Sequence, residues 1–444
     1  MQISARALVR LIAFVTVLSA PCSFIYGQEP QSNSPTAPPP APAPETNFLA
    51  REELTGNWGA TRSRWQDKGV ELEFKASQFI QGVADGGIDT GAVGNSKFQT
   101  IFKFDLGKLA GWNFWTVDIK TETRFGGPLL LGTGTISPVN TTAIIPAAAG
   151  NVFAITGLNV TKLFPINLQK GELFAVSVGR FNLLDLSDER FFGGGVTERF
   201  FNIAQIGPLT VLRQIPLITN LASFAYVRGG EPFITLALID PNEHSVDPGL
   251  SNLFADGVTF APGINFPSKF FGKTGKHTFG GAITTKKYTP FDAIKQIILP
   301  GPPINPIQPQ GGSWSANYTF RQYIVERSKN DGWGFFGQVS LADRSTSPIT
   351  TFVNVGLGGN GLFERRRRDE FGIAYAYTDL SEVLKDNLDL LSLRRLRPEH
   401  QVEMFYNFHI TPWLRLTADL QILRPTRPIA DTAIVPGARV EVIF

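Results

Sequence analysis

Cysteine is all but absent, Cys22 being the only one in 444 residues. It falls inside a stretch that reads as a cleaved leader, so the mature chain is expected to carry no thiol, no disulfide and no cysteine-based metal site. Pro21 before it gives a poor lipoprotein cleavage context. Histidine is scarce as well: His244, His277, His400 and His409 show no His-Glu-x-x-His or other metal spacing, and neither a metal nor a cofactor is expected. A dominant charge of one sign is also missing. Lys+Arg 41 against Asp+Glu 38 leaves a net +3, which argues against a nucleic-acid partner, since that would gather positive charge on one surface. The only long apolar run, Leu11 to Gly27, is short for a spanning helix. Any place in a membrane would have to be taken by strands.

What the chain does have is glycine, 44 residues, and phenylalanine, 36 residues, a composition of turns and bulky anchors. Its last stretch, Glu399 to Phe444, shows the underlying pattern. Val402, Met404, Tyr406, Phe408 and Ile410 share one face while Gln401, Glu403, Asn407 and His409 take the other. After Thr411-Pro412, Leu414, Leu416, Ala418, Leu420 and Ile422 oppose Arg415, Thr417, Asp419 and Gln421. Ala438, Val440, Val442 and Phe444 then oppose Arg439 and Glu441. Period-2 alternation means a sheet with one apolar and one polar face. It does not say which face is outside: a soluble barrel has an apolar interior, an outer-membrane barrel a polar lumen.

The same reading yields sixteen strands, at 69–83, 97–107, 112–124, 151–164, 171–180, 220–228, 232–240, 255–263, 276–289, 312–322, 333–342, 350–357, 369–379, 399–410, 413–423 and 433–444. Their lengths suit tilted strands crossing a bilayer, and an even number returns both ends to one side. Every second connection is expected to be short: Lys108–Gly111, Pro165–Lys170, Gly229–Glu231, Ile264–Gly275, Tyr323–Gly332, Gly358–Arg368 and Thr411–Pro412. The longer partners include Phe125–Gly150, Phe181–Asn220, Pro290–Gly311 and Leu380–Pro398. Trp112, Trp333 and Trp413 are expected to open strands after short turns, and Trp314 after a long loop, as interfacial girdles would require.

The secretory context and the terminal Phe444, which closes an alternating strand and resembles an outer-membrane insertion signal, choose between the soluble and the outer-membrane barrel. The fold class is all-β, a transmembrane antiparallel barrel of about sixteen strands over residues 69–444. Residues 1–27 read as a secretory signal, with Arg6 and Arg10 ahead of the apolar run Leu11 to Ala20. Residues 28–53 read as a Pro-rich periplasmic linker, in which Gln28 to Glu45 is stiff and extended. Residues 54–68 read as a short amphipathic helix, with Asn57 as N-cap, Trp58 and Trp65 on one face and Gly69 as the stop.

Several stretches resemble the carbohydrate-selective porins of the OprB family. Leu54-Thr-Gly-Asn-Trp-Gly-Ala-Thr-Arg62 with Asp67-Lys-Gly-Val70 resembles that family's Leu-Thr-Gly-Asp-Trp-Gly-Gly-Ala-Arg … Gly-Ile/Val opening. Val178-Gly-Arg-Phe-Asn-Leu-Leu-Asp185 is similar to its Gly-Arg-x-Asn-x-x-Asp segment, and Thr411-Pro-Trp-Leu-Arg-Leu-Thr-Ala-Asp-Leu-Gln421 to the strand pair ending Pro-Asp-Leu-Gln-Tyr. Asn57, Ala418 and Ile422 depart from that pattern, and Ala143–Gly150 and Gly301–Gly311 look like local insertions. The resemblance implies a sixteen-stranded barrel in a Gram-negative-type outer membrane, passing mono- or oligosaccharides passively into the periplasm. The terminal Phe444 resembles the signal read by the barrel-assembly machinery. Monomer and homotrimer stay open.

The substrate path is expected to be lined by Asp118, Lys120, Glu122 and Arg124 on the third strand. Glu403, Arg415, Asp419, Gln421 and Arg439 are placed around the closing seam. The longest connection, 181–220, is expected to fold into the lumen, with Arg180 and Asp185 at its root, where a strand-top Arg could cross the pore to a carboxylate, and Arg199 along it; the alternative is an external cap. The same charges could equally hold the barrel rigid by pairing across strands. Glu364-Arg-Arg-Arg-Arg-Asp369 falls in a periplasmic turn and reads as a basic cluster near lipid headgroups rather than an anion gate. An enzyme is not expected, because adjacent carboxylates such as Asp188-Glu189 need not converge on a glycosidic bond. Two other readings share the pattern: a general or anion-preferring diffusion porin, and a secreted β-rich carbohydrate-binding protein.

Overall fold

The computed structural model describes residues 47–127, 129–187, 191–192, 197–293, 309–390 and 395–444. The expected signal segment, Cys22 and Gln28–Glu45 lie outside them, as do Asp188, Glu189, Arg190 and Gly193–Gly195. The chain forms one antiparallel sheet closed on itself. Sixteen long strands make the wall: β1 (Val70–Val83), β3 (Gly91–Asp105), β4 (Trp115–Gly126), β5 (Val152–Asn167), β6 (Glu172–Asn182), β7 (Ile218–Arg228), β8 (Glu231–Ile239), β9 (Thr259–Phe270), β10 (Lys273–Tyr288), β11 (Gln310–Ser328), β12 (Asp331–Ala342), β13 (Ile349–Asn360), β14 (Glu370–Leu380), β15 (Glu399–His409), β16 (Leu414–Arg424) and β17 (Asp431–Ile443). A three-residue β2 (Asp85–Gly87) adds a short pairing to β17. The barrel closes where β1 meets β17, in register from Lys75↔Ile443 to Gln81↔Gly437.

Burial settles which face is outside. Phe98 is 50% exposed and Ile422 40%, whereas Lys97 is 1% exposed and Gln421 0%. Apolar residues thus face outward and polar ones inward, the reverse of a soluble barrel. The sixteen expected strands are all present. Their ends differ most at β9 and β11, where pairing runs on to two-residue hairpins at Phe271-Gly272 and Lys329-Asn330. Phe271 and Asn330 adopt left-handed φ of 48° and 69° there, the backbone that such tight turns demand.

Three expectations near the short-turn end need correction. Trp112 does not open a strand. Asp105 caps Gly107 and Lys108 with its carboxylate and starts a helical turn, α1 (Leu106–Ala110), so β4 begins only at Trp115. The N-terminal helix spans only Thr61–Asp67, and Asn57 is not its N-cap. Left-handed Gly56, Trp58, Gly59 and Ala60 wind a turn ahead of it, and the Asn57 side chain instead holds Ser63 at 2.6 and 2.9 Å. Residues 47–53, the end of the stretch read as a linker, lie against the barrel: the Trp413 indole donates to the Phe48 carbonyl at 3.1 Å, and the two rings meet tilted at 59° with centroids 5.0 Å apart.

Candidate functional site

The described residues of two long connections, 127–151 and 183–217, turn into the lumen, and the wall's carboxylates and amides hold them there. Glu403 on β15 accepts the Phe201 and Asn202 amides at 2.5 and 3.1 Å. Glu399 accepts those of Ile136 and Ser137 at 2.8 and 3.2 Å. The Gln81 and Gln421 side chains both donate to the Val139 carbonyl. A loop folded into a barrel leaves its own amides without sheet partners, so buried wall carboxylates are the natural acceptors.

The lumen has two unlike flanks. On the β6–β13 side most inward residues are small, apolar or amide, with Arg321 a buried exception, and the loop fills the space with aromatic rings. Phe191, Phe192 and Phe200 pack edge-on against Phe336 at 4.8–6.1 Å, and Phe200 meets Phe405 at 4.7 Å. Beneath them lies a mainly apolar cavity of about 250 Å³ lined by Phe181, Leu184, Ile206, Leu209 and Ala261 among others.

The flank of β15, β16, β17, β1, β3 and β4, with Glu370 at the start of β14, carries most of the charge. Lys97 and Glu122 pair at 2.7 Å, Lys120 and Asp185 at 2.6 Å, Lys75 and Glu198 at 2.6 Å, Arg199 and Glu370 at 2.9 Å, and Arg415 and Glu441 at 3.1 Å. Glu122 also takes hydrogen bonds from Gln99 at 3.0 Å and Asn182 at 3.1 Å. Arg439 donates to Thr417, Asn407 and the carbonyls of Glu198 and Arg199, clamping the loop tip to the seam. Burial alone would raise the Glu198 carboxyl, but Lys75 and Arg415 hold it down at about 2. Asp185 goes the other way: burial pushes it above the usual carboxylate range despite Lys120.

Of the residues expected on the path, Lys120, Glu122, Asp185, Arg199, Glu403, Arg415, Asp419, Gln421 and Arg439 converge on this flank or on the loop it holds. Asp118 sits lower, half-buried in a vestibule of about 290 Å³ with Glu71, Lys103 and Thr116. Arg124 supports the first inward loop through the Ala148 carbonyl at 2.6 Å. Arg180 is the correction. It does not reach Asp185; its guanidinium donates to the carbonyls of Ile155, at 2.8 Å, and His244. Gly179, at φ 138°, comes immediately before it and breaks the strand's alternation, which turns Arg180 to the rim. Lys75, Lys97, Glu198, Glu370 and Glu441 were missing from the expected set. The strand residues among them share the inward parity that marked the others; Glu198, on a loop, has no such signal. The Glu364–Asp369 run forms a turn between β13 and β14, on the short-turn side, where Arg366 pairs with Asp369 at 2.7 Å.

Known proteins agree with this architecture. Porin B of Pseudomonas aeruginosa is 19% identical over 431 residues, covering 88% of this chain and 91% of that protein. The high-pH structure of Pseudomonas putida OprB superposes with a TM-score of 0.75 at 19% identity, covering 90% of this chain and 100% of that one. Its low-pH structure gives a TM-score of 0.53 at 15% identity. Residues 90–444 match the carbohydrate-selective porin, OprB family. The chain belongs to that family: it is an outer-membrane β-barrel porin for sugars.

Proposed function

We propose that small sugars cross passively along the charged flank of the lumen, between the Lys97–Glu122–Lys120–Asp185 group and the Lys75–Glu198–Arg415–Glu441 group. One observation carries this reading: five cations each face a carboxylate within 3.1 Å. The flank is rich in donors and acceptors yet nearly neutral in sum. A neutral, densely hydroxylated solute gains hydrogen bonds from the members that reach the lumen, Asp185, Lys75, Glu198, Arg415 and Glu370, while the buried Lys97–Glu122 pair holds the wall. An ion of either sign meets its own charge as often as the opposite one. Contacts of this kind are individually weak and reversible, as flux requires. The protein acts as a channel and not through turnover chemistry. Phe444, whose amide closes the seam on the Phe74 carbonyl at 2.9 Å, also serves as the segment read by the barrel-assembly machinery.

Liposome swelling with neutral sugars beside size-matched neutral non-sugars tests the reading. Sugars are expected to enter faster than their size dictates. Rates that follow size alone would reduce the protein to a general diffusion porin, and faster entry of anions would favour the anion-preferring reading.

A further inference from the structure

The Trp58–Trp65 segment has no part in the path described so far, yet it builds a pocket at the periplasmic mouth. The turn and helix of residues 52–66 cross the lower end of β1. There β17 has ended and leaves one edge of β1 unpaired: the β1–β17 register covers seven residue pairs, against fourteen for β1–β3 on the other edge. The Leu54 amide bonds to the Ile443 carbonyl at 2.8 Å, and Arg62 to the Phe444 carbonyl at 2.8 Å, fixing the segment over this notch. The cavity beneath it measures about 150 Å³ and is lined by Trp65, Gln66, Arg62, Glu53, Glu71 and Glu73 among others. A cavity of about that size holds one six-membered ring.

The lining is the chemistry of a sugar site. Trp65 supplies an aromatic surface, 42% exposed and braced edge-on by Trp58 at 6.1 Å. Around it stand planar groups able to donate or accept in pairs: a guanidinium, an amide and carboxylates. Three of the four lining carboxylates have a cationic partner: Glu53 has Arg62 at 2.8 Å, Glu71 has Lys103 at 3.7 Å, and Glu73 shares Lys75, at 2.8 Å, with Glu198. That balance favours a neutral polyol over a cation. Lys75 also holds Glu198 on the inward loop, at 2.6 Å, so one side chain joins the pocket to the charged flank.

We infer that this pocket is a second sugar site, an exit station where a monosaccharide leaving the lumen rests on Trp65 before release to the periplasm. The inference rests on the sugar-path reading above. The experiment is fluorine NMR of the full-length barrel labelled with 5-fluorotryptophan, its seven Trp resonances assigned through Trp65→Phe, titrated with glucose and separately with triethylene glycol. The Trp65 resonance is expected to move saturably with glucose alone. In Trp65→Ala, the glucose concentration that half-blocks single-channel current from the periplasmic side is expected to rise about threefold to tenfold. Gel migration of the unheated variant checks that the barrel has formed. A Trp65 resonance indifferent to glucose overturns the exit site even where swelling still shows sugar preference. Loss of sugar preference in swelling overturns the path itself, and the resonance decides the pocket on its own.

Discussion

Glu122 is the residue on which two lysines depend. Lys97 and Lys120 lie 2.7 and 3.6 Å from its carboxylate, all within the charged flank. Glu122→Gln keeps the shape and the Gln99 contact side but leaves both cations short of countercharge. The expected outcome is a shift toward anion permeation by about a factor of two or more, read as the reversal potential in a salt gradient. Asp185 and Glu198, the loop carboxylates of the two groups, respond oppositely to acid. Glu198, held down at about 2, contributes stability that is complete above its ordinary carboxylate range and is lost as pH falls through about 2. Asp185, raised by burial, is the more readily protonated, and its ionised form costs the folded state something at neutral pH. Acidification should therefore uncouple Lys120 from the loop before it uncouples Lys75. At neutral pH, Asp185→Asn should reproduce the ion selectivity that the native channel acquires only on acidification. Equal selectivity of variant and native channel at neutral pH would sink that assignment.

At the scale of the element, the 183–217 loop is held by two different forces. Its aromatic residues fill the apolar flank, and its backbone amides reach Glu403. Phe200 is fully buried between Phe336 and Phe405, and its replacement by Ala removes a contact worth about 3–5 kcal/mol in a packed core. Glu403→Gln weakens charge-assisted bonds worth about 1.5–3 kcal/mol. Both variants should give a wider and noisier channel in single-channel recording and faster tryptic cleavage after Arg199. Conductance unchanged in both would mean that the loop's position does not set the aperture. The N-terminal segment is a second such element. Leu54→Pro removes the amide that bonds the Ile443 carbonyl and should lower the temperature at which the compact gel band converts to the unfolded one.

For the whole molecule, the wall and its contents follow different rules. The wall is a repeat of one physical instruction, alternate residues to lipid and to lumen, and every strand repeats it over about ten residues. The contents are unique: among the described residues, two loops with different anchors lie between an aromatic flank and a charged one. The repeated wall closes the sheet, while the loops and the side chains that anchor them shape the space inside it.

Strand number, the order of short and long connections, and the inward parity of Lys120, Glu122, Glu403, Arg415 and Arg439 were all determined by the sequence alone, because a period of two is a local property that survives without knowledge of any neighbour. The family was legible as well, at both ends of the chain and at Val178–Asp185. Only the tertiary structure decided that Lys120 rather than Arg180 meets Asp185, that Glu198 joins Lys75, and that Trp413 is covered by Phe48. The reason is physical. These contacts join residues up to 365 positions apart across a lumen whose width and loop paths arise from closure of the sheet, and closure leaves no periodic trace in any one segment.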